Sequence, residues 1–265
     1  MKNYYNEEVL KLISERILNK SIDELKEIYL KFEKKQLEII ETYDTNLEYR
    51  KYLDAENVAK NRQFDLPFLL PHNGINKLRG TIIILGMDAK GHGDKRVVLS
   101  TPYAIHLGNS DPQYFNYINT LRQYYNIYLT DIYKTYWMNK DGSVSNGDFE
   151  FTRDKIHLKI LKNEVEILKN AGDFIGFLTW GDEARDGVLH MYDLACRKTS
   201  ENPKGLISKE QLLPYMLTQE FKLIASTHPT RNNGHKGIYF KYNNLGEKWD
   251  PIIMAEAIIN AFDVK

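Results

Sequence analysis

Two aspartates and a histidine stand where short apolar runs of this chain end. Asp88 follows the run Thr81–Gly86 (TIIILG), Asp131 closes NIYLTD within Asn126–Ile132, and His228 follows Phe221–Ser226 (FKLIAS). A further run, Phe174–Trp180 (FIGFLTW), gives way to Gly181-Asp182. Such runs, bounded by glycine and polar residues, read as buried strands. Open α/β sheets bind ligands outside the carboxyl ends of their strands, so these polar groups would share one edge. An aspartate placed there can orient and deprotonate a water. An imidazole facing it can stabilise negative charge developing on a leaving group. The pair suits cleavage of a bond whose leaving group departs as an anion, such as a nucleobase leaving a sugar.

Other chemistries fit the same residues less well. In LGMDAKGHGD, Gly86 and Gly91 have the separation of a P-loop, but His92-Gly93 follow where lysine and a hydroxyl residue are required. The dinucleotide pattern GxGxxG fails because Asp88 occupies the second glycine position. No GxSxG elbow is present for a serine hydrolase. The single cysteine, Cys196, excludes an intramolecular disulfide, a CxxC zinc site and a four-cysteine cluster. Histidines at paired metal-ligand spacing are also missing, which leaves only a scattered Asp/His site for metal chemistry.

With 265 residues the chain can bury a substantial core. Its 36 basic and 36 acidic side chains cancel, so any nucleic-acid contact must come from a local patch. The 18 tyrosines are available for hydrogen bonding or stacking as well as packing. The charged start MKNYYNEEV is unlike a signal peptide and no apolar run approaches membrane length. The expectation is a soluble, cytoplasmic protein that does not engage a membrane.

The elements that must position these groups alternate in type. Glu7 to about Glu41 reads as two amphipathic helices, one carrying Val9, Leu10, Ile13 and Ile17, the other Leu25, Ile28, Phe32 and Ile39. Ser21-Ile22-Asp23-Glu24 forms a capping box at the start of the second. Asp44–Asn61 is a further helical stretch, and Phe64–Asn76, with Pro67, Pro71 and Gly74, an irregular approach to the first strand. Arg96–His106 is extended and broken by Pro102. Helices are predicted from Asp111-Pro112, from about Arg153 to Asn170 (Leu158, Leu161, Val165 and Leu168 on one side), over Asp182–Leu194, and from Asp250 as N-cap with Pro251 at the first position. Loops are predicted at Lys140–Gly147 and Ser200–Gly205. Strands separated by helices predict an α/β fold: three layers, α/β/α, around a central, mainly parallel four-stranded sheet. Residues 1–75 form an N-terminal helical extension and 76–265 the main domain.

Several stretches, in order from about Thr81 to Trp249, resemble motifs of the uracil-DNA glycosylase superfamily. LGMDAKGHG is similar to its first motif, G-Q-D-P-Y-H or G-M-N-P in different branches. STHPTRNNGHKGIYF resembles its second, H-P-S-P-L-S followed by a basic-Gly-aromatic stretch. FLTWGDEAR resembles the strand-end L-L-W-G, VVLSTP the base-stacking F-S-V-P, and YLTDIYKTYW stands where the family has L-L-N-x-x-L-T. The resemblance implies a DNA glycosylase that flips its target nucleotide out of the duplex and needs no cofactor. It makes Asp88 the water-orienting carboxylate and His228 the stabiliser of the departing base. Gly86, Met87, Lys90, Gly91, Leu99 and Asp131 would form the base site, with Leu99 where an aromatic stacks and Asp131 where an asparagine reads the base edge.

The departures from the family pattern carry information about the base. A carboxylate at 131 only accepts hydrogen bonds, which suits the cytosine N4 amino group. A one-residue register shift or a helix-capping role for Asp131 are the alternatives. Ala89-Lys90 replaces the Pro-Tyr pair that closes the family's pocket at C5, so that Lys90 with Gly91 leaves that side open or supplies a donor to a polar substituent; a merely solvated lysine is the alternative. Arg231, Asn232 and Asn233 stand where an intercalating leucine is expected; either Ile238 or Tyr239 takes its part, or the enzyme acts on poorly stacked targets. Arg231, Asn232, His235, Lys236 and Lys241 supply the local DNA contacts. The expected partner is DNA carrying a modified base. The expected activity is excision of a C5-modified cytosine, such as glucosylated hydroxymethylcytosine in phage defence. The alternatives are uracil excision in DNA repair, an inactive nucleic-acid-binding relative, or an α/β enzyme acting on free nucleotides.

Overall fold

A computed structural model describes residues 4–34, 46–47, 49, 51, 63–86, 98–100, 112–132, 155–194, 212, 214–219, 221–226 and 239–264. The elements begin with helices α1 (Glu7–Arg16) and α2 (Ile22–Glu33), followed by strands β1 (Gln63–Asp65), β2 (Phe68–Leu70), β3 (Gly80–Gly86) and β4 (Val98–Ser100). Next come α3 (Pro112–Leu121), β5 (Tyr125–Asp131), α4 (Lys155–Asn170), β6 (Phe174–Trp180) and α5 (Asp182–Met191). Strands β7 (Pro214–Met216) and β8 (Lys222–Ser226) precede the last helix, α6 (Pro251–Asp263). These elements fall into two compact units. The first holds α1, α2, β1, β4, α4 and the last residues of β5; the second holds β3, α3, β5 as far as Leu129, β6, α5, β7, β8 and α6.

In the first unit the helices start where their caps dictate. Asn6 Oδ1 accepts from the amides of Glu8 at 2.9 Å and Val9 at 3.2 Å, satisfying two donors that a helix start otherwise leaves unpaired. The capping box of α2 is made in both directions. Ser21 Oγ accepts from the Glu24 amide at 3.2 Å, and Glu24 Oε2 accepts from the Ser21 amide at 2.8 Å. That bond to the Ser21 amide is the main reason the Glu24 carboxyl is held below its ordinary pKa. Val9, Leu10, Ile13 and Ile17 are buried as their spacing requires, and so are Leu25 and Ile28. Helix α1 packs against both α2 and α4.

Helix α4 differs in detail from its expected stripe. Leu161, Val165 and Leu168 are buried, but Leu158 is only half-buried. The buried face runs through His157, Ile160, Leu161, Glu164, Val165 and Leu168, admitting an imidazole and a carboxylate to an apolar row. Strands β1 and β4 pair in parallel, with Phe64 opposite Leu99. Both lie in stretches read from the sequence as irregular or merely extended. Of the helical stretch expected over Asp44–Asn61, residues 47, 49 and 51 are helical; Ile39, the Lys140–Gly147 loop and the Ser200–Gly205 loop lie outside the described residues.

The larger sheet has six strands in the order β2-β5-β3-β6-β8-β7 and is mixed, where four mainly parallel strands were expected. Strands β3, β6 and β8 run parallel; β7 pairs antiparallel with β8. The unexpected strands, β2 and β7, have 3 residues each, too few to show an alternating pattern; β2 pairs with a strand distant in sequence, and β7 folds back on β8 just after it. All of β3 is buried, as an inner strand covered on both faces must be. Asp173, at the entry to β6, holds the opposite edge together. Its carbonyl accepts from the Thr81 amide at 2.7 Å, and Oδ2 accepts from the Thr81 hydroxyl at 2.8 Å and Asn126 Nδ2 at 3.2 Å. Asp250 caps α6 by accepting from the amides of Ile252 and Ile253, with Pro251 next to it. At the far end of that helix, Lys222 Nζ of β8 donates to the Phe262 carbonyl at 2.6 Å.

The approach of β6 to β8 admits no side chain at Gly176. Its φ is 154°, and a Cβ there would stand 2.2 Å from the Lys222 carbonyl oxygen. Replacing Gly176 with alanine therefore has to separate two paired inner strands. The expected outcome is a loss of about 3 kcal/mol or more, or insoluble protein, measured by urea denaturation. A Gly172→Ala control sits at a turn with open space around it and keeps the sheet intact, although its φ of 93° carries some strain.

Candidate functional site

Because β3, β6 and β8 are parallel, their carboxyl ends fall on one edge of the sheet. Those ends are Gly86, Trp180 and Ser226, and each is buried. Trp180 pairs in register with Ser226, and the Gly181 amide donates to the Ser226 carbonyl at 3.2 Å. Gly181, with φ at 100°, turns the chain from β6 into α5. Three of the four strand exits singled out in the sequence are thus on a common edge.

An aromatic and hydroxyl cluster supports these exits within the second unit. The Trp180 ring meets Tyr114 at 5.6 Å and Tyr117 at 6.1 Å, in tilted to edge-on geometry. Burial pushes the Tyr117 hydroxyl well above its ordinary pKa, against the opposing pull of Trp180 and Ser226. Tyr239 is raised in the same way by burial, again opposed by Ser226. The Tyr239 hydroxyl donates to the Ala225 carbonyl at 3.0 Å. Two tyrosines from separate helical segments therefore meet at the last residues of β8, immediately before Thr227-His228. Nothing in the local sequence marks Tyr117 or Ser226; Tyr239, expected as a candidate for strand separation, is buried with its hydroxyl bonded to Ala225.

Asp131 closes β5 and is 5% exposed. Its neighbour Thr130 donates to Glu164 Oε1 at 3.5 Å, and both are buried in the first unit. On the same face of α4, His157 meets the edge of Tyr49, with ring centroids 5.9 Å apart and planes at 81°. The Tyr29 hydroxyl donates to the Pro67 carbonyl. Burial raises its pKa first, and the charge of Glu164 adds to the effect. A carboxylate and an imidazole buried this deeply are costly in an apolar row. A signal for both was present: at i and i+7, His157 and Glu164 interrupt an otherwise apolar helical stripe.

Lys241 is exposed and pairs with Glu247 at 3.3 Å, so of the expected DNA contacts it carries a neighbouring carboxylate. Leu99 lies in β4, in register with Phe64. Met87, Asp88, Lys90, Gly91, His228, Arg231, Asn232, His235 and Lys236 lie outside the described residues. Among the described residues no group of three or more histidine, cysteine, aspartate or glutamate side chains could hold a metal, and no helix is long and apolar enough to cross a membrane. No family model matches the chain, and no curated protein resembles it at a significant level.

Two outcomes follow from the tyrosines. Tyr239→Phe keeps the ring and removes the buried bond to Ala225, with an expected cost of about 1 kcal/mol, seen as a fall of about 2–4 °C in Tm. The second concerns pH. Burial pushes Tyr125 up from 10.0 to about 12, and Tyr117 and Tyr239 are raised as well. A tyrosine whose folded pKa is raised contributes stability that is intact below the unfolded pKa and lost as pH rises through the folded one. The urea midpoint should stay level up to about pH 10 and fall between pH 10 and about 12. Tyr125→Phe should make that fall shallower.

Proposed function

We propose that the protein is a DNA glycosylase that hydrolyses the N-glycosidic bond of a flipped-out, C5-modified cytosine, such as glucosylated hydroxymethylcytosine, in defence against phage. The observation that carries the reading is Asp131, a carboxylate buried to 5% exposure at a strand end. Asp131 can only accept, and a cytosine N4 amino group is the donor that matches it. The common edge of β3, β6 and β8, from which the chain leaves toward Asp88 and His228, supports it further. On this reading β5, β3, β6 and β8 are the four parallel strands of a three-layer α/β/α glycosylase core.

In the reaction Asp88 orients a water and takes its proton as the oxygen attacks C1′. The C1′–N bond breaks, its electron pair leaves with the base, and His228 stabilises that anion until it is protonated. The products are an abasic site and the free base. The open side left by Lys90-Gly91 accommodates the C5 substituent, and Arg231, Asn232, His235 and Lys236 contact the DNA backbone.

The test is incubation with duplexes bearing uracil, 5-hydroxymethylcytosine or its glucosylated form, with abasic sites as the readout. Release from the glucosylated duplex is expected. Asp88→Asn should slow it by roughly 10²–10⁴-fold, the usual contribution of a general base. Asp131→Asn should shift preference toward uracil by roughly 10-fold or more, since one matched base-edge contact discriminates by about 1–3 kcal/mol. Release of uracil alone would select the repair activity instead. Cleavage of free nucleosides with none on DNA would select a nucleoside hydrolase, and no release from any substrate a binding protein.

A further inference from the structure

Some basic side chains of the described residues are paired with carboxylates. Lys26 meets Glu7 at 2.8 Å, Lys20 meets Glu24 at 3.7 Å, Lys169 meets Glu166 at 3.0 Å, and Arg185 meets Asp186 at 2.7 Å. Arg79 is likewise bound to Asp263 and stacks over the Tyr124 ring at 4.2 Å. Arg16 at the end of α1 and Lys159 and Lys162 on α4 stand outside these pairs, as do Lys31, Lys34 and other lysines. Among the described residues, no carboxylate lies within ion-pair distance of any of the three.

Arg16 and Lys159 also converge on one feature. With Ile156, Ile160 and Asn163 they line an open cleft within the first unit. Lys162 lies three residues beyond Lys159, within the spacing at which side chains on a helix are neighbours. Arg16 is not consumed in capping α1, because Asn46 does that work. The Asn46 amide donates to the Ile17 carbonyl at 2.7 Å, and Asn46 Nδ2 to the Glu15 carbonyl at 3.0 Å. The interior of the cleft is about 40 Å³, room for a group the size of a water or a phosphate oxygen and far short of a pocket for a base or nucleotide.

The geometry points to a second DNA contact, in which Arg16, Lys159, Lys162 and the Asn163 amide hold the phosphate backbone. A duplex presents a regular row of phosphates, which one guanidinium, two ammonium groups and an amide donor can meet without reading sequence. An anionic membrane fits less well. Neither α1 nor α4 exposes a large apolar side chain among the described residues, so nothing on these helices would enter a bilayer. The inference deepens the glycosylase reading and rests on it for the identity of the polyanion. It gives the N-terminal helices a task beyond packing.

The experiment is fluorescence anisotropy of the full chain with a labelled, unmodified duplex over a series of salt concentrations. Wild type is compared with Arg16→Glu, Lys159→Glu, the double variant and a Lys34→Glu control. Each lost phosphate contact lowers the slope of log K against log salt by about 0.9, so the double variant should lose about 2 in slope. At constant salt it should bind at least 10-fold more weakly, while Lys34→Glu should match wild type. Equal slopes and affinities for wild type and the double variant overturn the inference, as does wild type that binds no duplex. Loss of binding to phosphatidylserine vesicles without any change on DNA overturns it too. The abasic-site assay separates the two claims. Base release with an unchanged slope rejects this surface alone, whereas a lowered slope without base release rejects the glycosylase and keeps the surface.

Discussion

At Gly176 the backbone of β6 runs so close to Lys222 of β8 that a methyl group would overlap the carbonyl oxygen. Much of the second unit follows from that approach. It sets the register that places Trp180 opposite Ser226, and so fixes where both strands release the chain. Lys222 itself is engaged on its other side, donating to the last turn of α6, so strand and helix are joined at one residue. At the opposite edge Asp173 gathers β3, β5 and β6 through its carbonyl and carboxylate. Held at one edge and closely packed in the middle, the parallel strands can place polar groups at their exits with little freedom. A site built on such exits is pre-organised by the sheet rather than by its loops.

Polar burial is the second organising feature. Tyr114 and Tyr117 meet Trp180 at the exit of β6, and the Tyr239 hydroxyl bonds Ala225 at the end of β8. In the first unit, His157, Glu164 and Thr130 occupy positions that an apolar core would have filled with leucine or valine. Buried polar groups cost stability unless they are bonded, and in return a bonded group specifies one arrangement among many of similar packing. Glu164 reaching Thr130 puts such a group one residue from Asp131, whose burial carries the proposed choice of base.

Charge is distributed with the same economy. A chain with equal numbers of acidic and basic groups has no general attraction for a polyanion, so attraction has to be local. Lys20, Lys26, Lys169 and Arg185 are paired with carboxylates. Arg16 and Lys159 are not, and they converge on one cleft.

The amino-acid sequence by itself determined the local elements. Runs such as Ile82–Leu85 and Phe174–Trp180 announce strands because buried inner strands need apolar side chains on both faces. Asn6 has no capping-box partner at Val9 to announce it, whereas Ser21 with Glu24 and Asp250 with Pro251 mark helix starts through bonds made within four residues. Only the tertiary structure decided the order of the six strands, the recruitment of β2, and the turn of α4 that buries His157 and Glu164 in place of Leu158. It alone brought Tyr117 and Tyr239 to Trp180 and Ser226. The physical reason is range. Capping and hydrophobic period act between near neighbours and are written in the local residues, whereas strand order and the partners of a buried polar group depend on contacts between distant segments, whose geometry exists only once the chain has packed.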